Sequence, residues 1–472
     1  MADISDMTYE SVGVSIKDQN LTNKEIVKIL KSLDMVAEGL FGGAIDISSY
    51  KGKKTYVGIQ GASISEKQEW MIDTGTYTTQ KAFEKVTGEL IGVLDYIAAP
   101  HMNPDEIPNF VKGIALECRN RGTDVIGGES AQMKDTYREG EYDAFVHVIE
   151  ITKEKGKYSC DITDLIKGMK NPLLVASTDG TGTKTKIVRN PLDIIYHGFN
   201  DIGAVGVKPI AFGIYIAGNV PGRELKEIEK KSDKACKDLG ITKLKPLVEY
   251  KPETYLKGEV DIAGTVIGVV NEKDMITGKN VKEGDVVIGI GVDAIMTNGY
   301  TLARNSGKEL LGDMKEGGWD SPMEEFDGNT FRQEMSKSHV PMTDILFGTK
   351  EKEGVLSKYP GAVRATAHIT GGGQKYNIKR MVPDGLCAEV KKEVLPIPLV
   401  MKFFVDRGLE EEEAYKTFNM GVGFTLTTTE EMAYDIVEHI NRNFALRLDS
   451  ERPAAIIGEI VKNEKTKFVF KD

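Results

Sequence analysis

The sequence is poor in cysteine, and its cysteines form neither a metal-binding nor a disulfide-type pattern. Only four cysteines occur among 472 residues, and no two of them are spaced as C-x-x-C. A zinc centre built from paired cysteines and a disulfide framework are therefore both excluded. We expect reduced thiols at the four positions, which are Cys118, Cys160, Cys236 and Cys387.

Long apolar runs and an excess of basic charge are also missing. No stretch approaches the roughly 18 consecutive apolar residues of a membrane span. The opening MADISDMTYE lacks the basic and apolar regions of a secretion signal. The net charge of −11 argues against a broad nucleic-acid surface. These absences predict a cytoplasmic protein whose partners are small molecules, not nucleic acid or membrane.

Glycine is abundant within an otherwise ordinary globular composition. Charged residues make up 28% of the chain and hydrophobic residues 40%, and there are 50 glycines. The glycines cluster in GG and GGG groups, which is typical of close backbone approaches at turns and sites. The length predicts about three domains. Strand-like and helix-like segments alternate from Thr55 onward, which predicts an α/β fold.

One stretch, LLVASTDGTGTKTK at 173–186, joins an apolar strand to a glycine-rich loop. Gly180 and Gly182 allow backbone amides to approach anionic oxygens, Asp179 offers a hard oxygen ligand for Mg²⁺, and Lys184 offers a point charge for phosphate. The Walker A spacing G-x-x-x-x-G-K is absent. Taken alone, the stretch is explained equally well as a simple turn.

The chain contains an internal repeat. Segments 56–154 and 174–272 share their element order, and a constant offset of 118 residues separates Gly122 from Gly240 and Asp143 from Asp261. The first copy carries Gln60-Gly61-Ala62-Ser63 where the second carries Asp179-Gly180-Thr181-Gly182. The second copy has ITKLKPLVEYKP where the first has the GGE loop. Each copy therefore lacks what the other retains.

This pattern predicts four segments along the chain. They are an N-terminal tail with a glycine-rich flap (1–50), a first α/β copy with the GGE loop (51–158), a second α/β copy with the DGTGTK loop (159–272) and a C-terminal α/β domain (273–472). A polar, glycine-rich excursion occupies 312–329 within the last segment.

Four glycine-bearing loops carry polar side chains and together predict a composite ligand site. They are DGTGTK (179–184), GGE (127–129), TNGY (297–300) and HITGGG (368–373). His368 is suited to proton transfer near neutral pH, although a single histidine is often a core or helix-capping residue. Asn298 and Asn419 are suited to holding phosphate or ribose, although asparagine beside glycine is common in turns.

These motifs resemble the aminoimidazole ribonucleotide synthetase family, also called phosphoribosylformylglycinamidine cyclo-ligase. The similar motifs cover nearly the whole chain and are YESVGVSI, GGESAQM, STDGTGTK, D-x-x-x-x-G-x-x-P at 201–209, TNGY, AHITGGG, YNIKRMVP and TFNMGVG. AHITGGG and TFNMGVG are the specific ones.

The resemblance implies an ATP-dependent ring closure of purine biosynthesis. ATP phosphorylates the formyl amide oxygen of formylglycinamidine ribonucleotide, an amidine nitrogen attacks the activated carbon, and phosphate leaves. The cofactors implied are ATP and Mg²⁺, with Asp179 and Asp201 as metal ligands and Asp179, Lys184 and His368 as catalytic residues. The implied ATP-binding residues are Asp179, Gly180, Thr181, Gly182, Thr183, Lys184, Asp201, Gly127, Gly128 and Glu129. The implied substrate-binding residues are Asn298, Gly299, Thr370, Gly371, Gly372, Gly373 and Asn419.

In this family and in relatives such as selenophosphate synthetase and thiamine-monophosphate kinase, an N-terminal α/β domain pairs with its twin from a second subunit, and nucleotide lies at the interface. The resemblance therefore implies that the two copies form an intramolecular pseudo-dimer, with a C-terminal α/β domain following. The GGE loop of one copy would then complete the site of the DGTGTK loop in the other. One chain would bind one ATP, so the internal pseudo-dimer permits a monomer while a higher oligomer stays open.

Three features depart from the family pattern. The usual His-Ser-Asn-Gly before tyrosine is Met296-Thr297-Asn298-Gly299, the usual aspartate of the opening GVDI is Ser15, and the excursion at 312–329 is foreign to the pattern. Two alternatives to the cyclo-ligase therefore stay open. One is a related ATP-dependent kinase or synthetase acting on another small molecule, and the other is a non-catalytic nucleotide-binding paralogue.

Overall fold

Three β-sheets and their covering helices form two compact units of the chain. The computed structural model describes residues 4–33, 35, 43–67, 71–392, 394–445 and 453–471. The first unit, called the N-terminal unit below, comprises Gly13–Gly198 and Val207–Lys273. The second, called the C-terminal unit, comprises Met1–Val12, Phe199–Gly206 and Asp274–Asp472.

The N-terminal unit contains two of the sheets. Its strands are β1 (Gly43–Asp46), β2 (Tyr56–Lys67), β3 (Glu89–Ala99), β4 (Val125–Gln132), β5 (Glu141–Thr152), β6 (Ser159–Asp161), β7 (Pro172–Gly180), β8 (Lys208–Gly218), β9 (Thr242–Lys243), β10 (Leu247–Tyr250) and β11 (Val260–Asn271). Its helices are α1 (Ile16–Ser32), α2 (Met71–Phe83), α3 (Ile107–Arg121), α4 (Thr163–Lys167), α5 (Pro191–Gly203) and α6 (Gly222–Leu239), with the end of α5 grouped in the C-terminal unit.

The two sheets have the same strand order and the same directions. The first is β4-β3-β5-β2-β6, and the second is β10-β8-β11-β7-β1 with β9 beside β8. In each, the outer strand is parallel to its neighbour and the next two pairings are antiparallel. Helices α3 and α6 both end on a left-handed glycine, Gly122 at φ 68° and Gly240 at φ 69°, the usual C-terminal helix signal.

Buried tyrosine–aspartate clusters join the two sheets with matching contacts. Asp261 accepts hydrogen bonds from Tyr96 at 2.9 Å and Tyr137 at 2.6 Å. The equivalent residues, 118 or 119 positions away in the sequence, make the mirrored contacts. Asp143 of the first copy accepts hydrogen bonds from Tyr215 and Tyr255 of the second. The two sheets are thus related by an approximate twofold axis within one chain.

Residues that correspond in the two copies meet each other on this axis. Tyr137 and Tyr255 have ring centroids 4.7 Å apart, and His147 Nδ1 lies 2.8 Å from Thr265 Oγ1. Both pairs are separated by 118 residues. Self-meeting of equivalent residues is the mark of an isologous interface, so the intramolecular pseudo-dimer of two α/β halves is confirmed as the architecture of this unit.

The C-terminal unit is built on a single six-stranded sheet in the order β13-β15-β12-β16-β14-β17. Its strands are β12 (Asp285–Gly291), β13 (Ala365–His368), β14 (Leu386–Lys391), β15 (Val422–Thr429), β16 (Ala454–Lys462) and β17 (Phe468–Lys471). Its helices are α7 (Tyr300–Leu311), α8 (Phe331–Met335), α9 (Thr343–Phe347), α10 (Val355–Lys358), α11 (Gly373–Ile378), α12 (Leu399–Asp406), α13 (Glu411–Thr417) and α14 (Glu430–Phe444).

The excursion at 312–329 is packed into the C-terminal unit through aromatic side chains. Trp319 is buried, and its ring meets that of Phe331 edge-on with centroids 4.7 Å apart. Its indole N–H donates to the Gly312 carbonyl at 2.9 Å. Phe326 packs against Phe403 at 5.1 Å. The excursion therefore has its own apolar anchor, although its sequence is largely polar.

The α/β prediction is confirmed by the three sheets. Two of the strands, however, pair with a sheet outside the segment in which they were predicted. Strand β1, in the predicted tail, pairs with β7 of the second sheet. Strand β6 lies beyond residue 158 yet pairs with β2 of the first sheet. Residues 39–42 of the predicted flap lie outside the described residues. None of the helices in the described ranges is long and apolar enough to cross a membrane.

Candidate functional site

Strands β4 and β7, one from each copy, pack against each other. Strand β4 carries Gly127, Gly128 and Glu129, and strand β7 ends at Asp179-Gly180. Both loops predicted for ATP therefore lie together inside the N-terminal unit.

Tyr96 lies at the junction of these two strands. Burial raises its pKa well above the ordinary value, and the negative charges of Asp261, Asp179 and Glu129 raise it further. Glu129 is the partner of Tyr96 in the β3–β4 ladder, and the Tyr96 hydroxyl lies beside Gly180, the residue after Asp179. The two acidic residues therefore flank the same tyrosine. Two carboxylates beside a glycine-rich strand end offer hard oxygen donors of the kind that bind Mg²⁺.

Two of the site glycines are required by packing. A Cβ at Gly180 would lie 2.5 Å from the Tyr96 hydroxyl, and a Cβ at Gly128 would lie 2.2 Å from Asp95 Oδ1. Gly182 has open space around it but a φ of 64°, which favours glycine. The sequence prediction assigned Gly180 to close approach of phosphate, whereas the structure shows that its missing side chain also accommodates a tyrosine of the other copy.

Asp179 is held by the chain on both of its oxygens. Oδ1 accepts the Gly180 amide at 2.5 Å, and Oδ2 lies 2.9 Å from Nε2 of the buried His197 on α5. Each carboxylate oxygen has a second lone pair, so these contacts orient the group and leave it able to bind a cation. His197 was not predicted. No recognisable motif surrounds it in the sequence. It reaches Asp179 because helix α5 packs near the end of β7.

Lys184 is fully buried and paired with an acidic residue. Its Nζ lies 2.8 Å from Oδ1 of Asp193, which is also buried. Burial lowers the pKa of Lys184, opposed by the charge and hydrogen bond of Asp193. In addition, the Thr181 amide donates to the Ile262 carbonyl at 2.8 Å. Part of the predicted phosphate cradle is therefore bonded internally, and the direct phosphate role of Lys184 stays a prediction.

The strand register identifies the counterpart of Asp179 in the first copy. Asp179 pairs with Gly264 on β11, and Ala62 pairs with Val146 on β5. Gly264 and Val146 are equivalent by the offset of 118 residues. The sequence prediction that set Gln60 opposite Asp179 is wrong by two residues. A shift of two keeps every side chain on the same face of a strand, so the alternation pattern could not reveal it.

The counterpart of Glu129 follows in the same way. Glu129 pairs with Tyr96 on β3, and Leu247 pairs with Tyr215, the equivalent of Tyr96, on β8. In the mirror position both carboxylates are thus replaced by apolar side chains, Ala62 and Leu247. Leu247 closes on this region, since its Cδ1 lies 2.8 Å from the place of a Cβ on Gly61.

A lysine lies next to this mirror position. Lys251 Nζ is 2.7 Å from Asp143 Oδ1, 3.0 Å from Glu249 Oε2 and 2.9 Å from the Tyr215 hydroxyl. Its counterpart by the offset of 118 residues is the uncharged Met133, whose sulfur lies 4.0 Å from the Tyr96 hydroxyl. The two halves therefore share a fold but differ in charge.

In the C-terminal unit, His368 ends strand β13 and is fully buried. Its Nδ1 donates to Asp201 Oδ1 at 2.8 Å, and its Nε2 lies 3.2 Å from Nε2 of His339. The predicted metal ligand Asp201 is thus a hydrogen-bond partner of the predicted catalytic histidine, and its metal role stays a prediction. His339 was missed because SKSHVPM has no recognisable motif.

Asn200 lies against the same nitrogen of His339. Asn200 Oδ1 accepts the Met342 amide at 2.7 Å, and its Nδ2 donates to the Val340 carbonyl at 2.8 Å. The same Nδ2 lies 3.0 Å from His339 Nε2. His339 Nε2 is therefore placed between the Asn200 amide and the His368 ring.

The TNGY and TGGG loops also meet in the C-terminal unit. Asn298 Nδ2 lies 3.5 Å from the place of a Cβ on Gly371. Asn377 closes the second loop by donating to the carbonyls of Thr370, Gly371 and Gly373.

The N-terminal YESVG segment lies at the first of these loops. The Gly299 amide donates to the Tyr9 hydroxyl at 3.0 Å. Burial raises the pKa of Tyr9 to about 12, so its hydroxyl remains protonated at neutral pH. The asparagine, the glycines and a tyrosine of three sequence motifs are therefore brought together.

Asn419 is bonded to the backbone on both ends of its amide. Its Nδ2 donates to the carbonyls of Ala294 and Ile295, and its Oδ1 accepts the Gly421 amide at 2.9 Å. These contacts fix the turn after α13 and explain structurally an asparagine two residues before Gly421. A contact of Asn419 with substrate stays a prediction.

Two departures from the family pattern have structural consequences. Ser15 caps helix α1, since its hydroxyl accepts the Asp18 amide at 3.1 Å. Met296 is buried in the left-handed region at φ 71°. Its sulfur lies 3.1 Å from the place of a Cβ on Gly423.

Comparison with known proteins shows the family of this chain. A family model described as AIR synthase related protein, C-terminal domain, matches residues 282–471, and the corresponding N-terminal domain model matches residues 86–149 and 164–270. A curated phosphoribosylformylglycinamidine cyclo-ligase of Alkaliphilus oremlandii is 31% identical over 357 residues, which cover 74% of this chain and 97% of that protein. The chain belongs to the AIR synthase related family.

Another relative carries the same curated name. The Clostridium kluyveri protein is 34% identical over 304 residues, covering 63% of this chain and 84% of the relative. The relatives named here are cyclo-ligases, so the AIR synthase related family includes enzymes. Among solved structures, E. coli HypE matches with a TM-score of 0.48 and 16% identity, over 68% of this chain and 88% of that one.

Proposed function

We propose that this chain is an ATP-dependent cyclo-ligase that converts formylglycinamidine ribonucleotide to aminoimidazole ribonucleotide, releasing ADP and phosphate. The observation that carries the proposal is that Asp179 and Glu129 flank Tyr96, whereas Ala62 and Leu247 take their places in the mirror position. Family membership supplies the reaction. The protein would act in the cytoplasm on a small nucleotide substrate.

Phosphoryl transfer needs neutralisation of developing negative charge more than covalent participation by the protein. Asp179 and Glu129 are the residues that would hold Mg²⁺ in the N-terminal unit, and a bound Mg²⁺ would neutralise phosphate oxygens. Lys184 places a positive charge behind the loop, although its ammonium is buried against Asp193. Its contribution would then be electrostatic and positional.

Ring closure needs a proton donor or acceptor for the amidine and the departing oxygen. His368, which precedes the TGGG loop, is oriented through Nδ1 by Asp201. Asn298 and the TGGG loop offer amide groups for the phosphate and ribose of the substrate, which is the role that the sequence motifs predict.

The test is an assay of the purified protein with ATP, Mg²⁺ and formylglycinamidine ribonucleotide, measuring ADP and the aminoimidazole product. We expect both products in equal amounts. Release of ADP without the aminoimidazole would favour a related kinase or synthetase, the candidate that Met296 supports. Absence of both products would favour a nucleotide-binding protein without this activity.

Substitution of Asp179 tests the site itself. Asp179→Ala should lower turnover at least about 100-fold, because a charge-stabilising group of the transition state is removed. The matched control is Asp164→Asn on the exposed face of α4, which should behave as the unaltered protein. Full activity of Asp179→Ala would refute its role.

A further inference from the structure

We propose that His339 is a positioning residue for His368, holding the catalytic imidazole through a direct contact between the two rings. The proposal rests on the proposed ring-closing function. It assigns a role to a side chain that belongs to none of the sequence motifs.

The two imidazoles form a buried pair. Their Nε2 atoms are 3.2 Å apart, and the rings meet edge-on with centroids 5.2 Å apart and an angle of 72° between their planes. His339 is 2% exposed and His368 is fully buried. A nitrogen-to-nitrogen contact at this distance inside the protein fixes both the tilt and the rotation of the His368 ring, since Asp201 already holds its other nitrogen.

His339 is itself held from two sides. The Asn200 amide donates to Nε2 at 3.0 Å, and Asn200 is locked by the backbone of Val340 and Met342. A longer contact of 3.5 Å joins Nδ1 to the hydroxyl of Thr297. His339 therefore links the TNGY loop to the strand end that carries His368.

His339 reaches the TNGY loop from the segment before α9, and its imidazole contacts Thr297 there. A part of the sequence outside the motif therefore supplies the histidine beside this loop.

A second buried histidine of this unit lies away from the sequence motifs. His439 is 6% exposed, and its Nε2 lies 2.9 Å from the Glu353 carbonyl. Its Nδ1 lies 3.1 Å from both Lys358 Nζ and Asn443 Nδ2. Among the described residues these polar partners belong to none of the motifs, so His439 is a matched control for the loss of a buried imidazole.

The experiment compares three variants by steady-state kinetics in the cyclo-ligase assay. His339→Phe keeps an aromatic ring and removes both nitrogens, and we expect kcat to fall about 10- to 100-fold with both KM values within about twofold, as for a misplaced catalytic group. His339→Gln restores a polar atom toward His368 and should recover most of kcat. His439→Phe should leave kcat within about twofold. An unchanged kcat in His339→Phe, or an equal loss in His339→Gln and His339→Phe, would overturn the proposal.

A second measurement does not depend on the reaction. The chain has six histidines, so ¹⁵N-histidine labelling gives a small set of imidazole signals. His339→Phe should shift the signals of His368, whereas His439→Phe should not. If the unaltered protein made no aminoimidazole, the proposed function would fail while this spectrum still tested the ring contact. Unshifted His368 signals in a folded His339→Phe protein would refute it.

Discussion

Lys184 matches the phosphate-binding pattern predicted from the sequence, but its ammonium group is buried inside the protein. The sequence assigned its ammonium to phosphate, and the structure pairs it with Asp193 in full burial. Removing one partner of a buried ion pair leaves an uncompensated charge, whereas removing both can be nearly neutral. The residue thus contributes to the loop through Asp193, on the first turn of α5.

We therefore expect Asp193→Ala to lower the free energy of unfolding by about 3–5 kcal/mol. The double variant Lys184→Met with Asp193→Leu should lower it by clearly less, because no charge is left buried. Urea unfolding followed by circular dichroism measures both. Equal losses in the two proteins would contradict the assignment of a buried pair.

Asp95 provides a pH dependence of stability. Burial raises the pKa of its carboxyl from 3.8 to about 7 in the folded protein. The folded state therefore binds this proton more tightly than the unfolded state, and the resulting stability is complete below about pH 4 and is lost as pH rises through 7. Asp95→Asn lacks this titration.

The free energy of unfolding of Asp95→Asn, relative to the unaltered protein, should accordingly rise by about 2–3 kcal/mol between pH 5 and pH 8. Urea unfolding at the two pH values measures the change. Asp164→Asn, on an exposed helix face, serves as the control and should show no such rise. A pH-independent difference for Asp95→Asn would show that this carboxyl is not the titrating group.

Some residues of the candidate site could be predicted from the sequence, and others could not. Asp179, His368 and the glycine loops follow from local pattern, since strand ends and glycines punctuate the chain. His197, His339, Asn200 and Tyr96 have no local signal, because each reaches its partner through folding of segments distant in sequence. The sequence predicts Asn419 as a substrate ligand; the structure shows its amide bonded to the backbone at both ends, and the substrate contact stays a prediction.

At the scale of elements, strands β4 and β7 carry the two halves of the proposed nucleotide site, and close packing around them constrains the glycines. Gly128 has no room for a side chain beside Asp95 Oδ1, but a Cβ on the adjacent Gly127 would lie 3.5 Å from Leu94 Cδ2, an ordinary contact. The two neighbouring positions therefore form a natural pair for comparison.

Gly128→Ala should lower the midpoint of thermal unfolding by several degrees, corresponding to roughly 1–3 kcal/mol of overpacking. Gly127→Ala should change it by less than about half as much. Scanning calorimetry of both variants measures the difference. If Gly127→Ala were the more damaging substitution, the packing of β4 against β3 would differ from that described.

The two related α/β halves could be predicted from the sequence, but the pairing of individual strand residues could not. The alternation of elements and the constant offset of 118 residues between Gly122 and Gly240 predicted two related α/β halves, and the two sheets have the same order. The pairing of Ala62 rather than Gln60 with the position of Asp179 required the hydrogen-bond ladders. Side-chain alternation has a period of two, so it is blind to a shift of two.

At the scale of the whole chain, the pseudo-dimer gives the two halves of the N-terminal unit unequal roles. One junction carries Asp179 and Glu129, and its mirror carries Ala62 and Leu247. Lys251 places a positive charge at the mirror, but it is matched by Asp143 and Glu249. A Mg²⁺-bound nucleotide would find Asp179 and Glu129 at one junction, whereas the carboxylates beside the mirror position, Asp143 and Glu249, are paired with Lys251.

The resulting prediction is that one chain binds one ATP. Isothermal titration with a non-hydrolysable ATP analogue and Mg²⁺, alongside light scattering to count chains per particle, should give one site per chain. Because Glu129 lies on β4 of the first copy and Asp179 on β7 of the second, each copy supplies one wall of the same site. Glu129→Ala and Asp179→Ala should therefore each remove all binding. Two independent sites would instead give two analogues per chain, with each substitution removing one and sparing the other, and that result would contradict the division of labour between the copies.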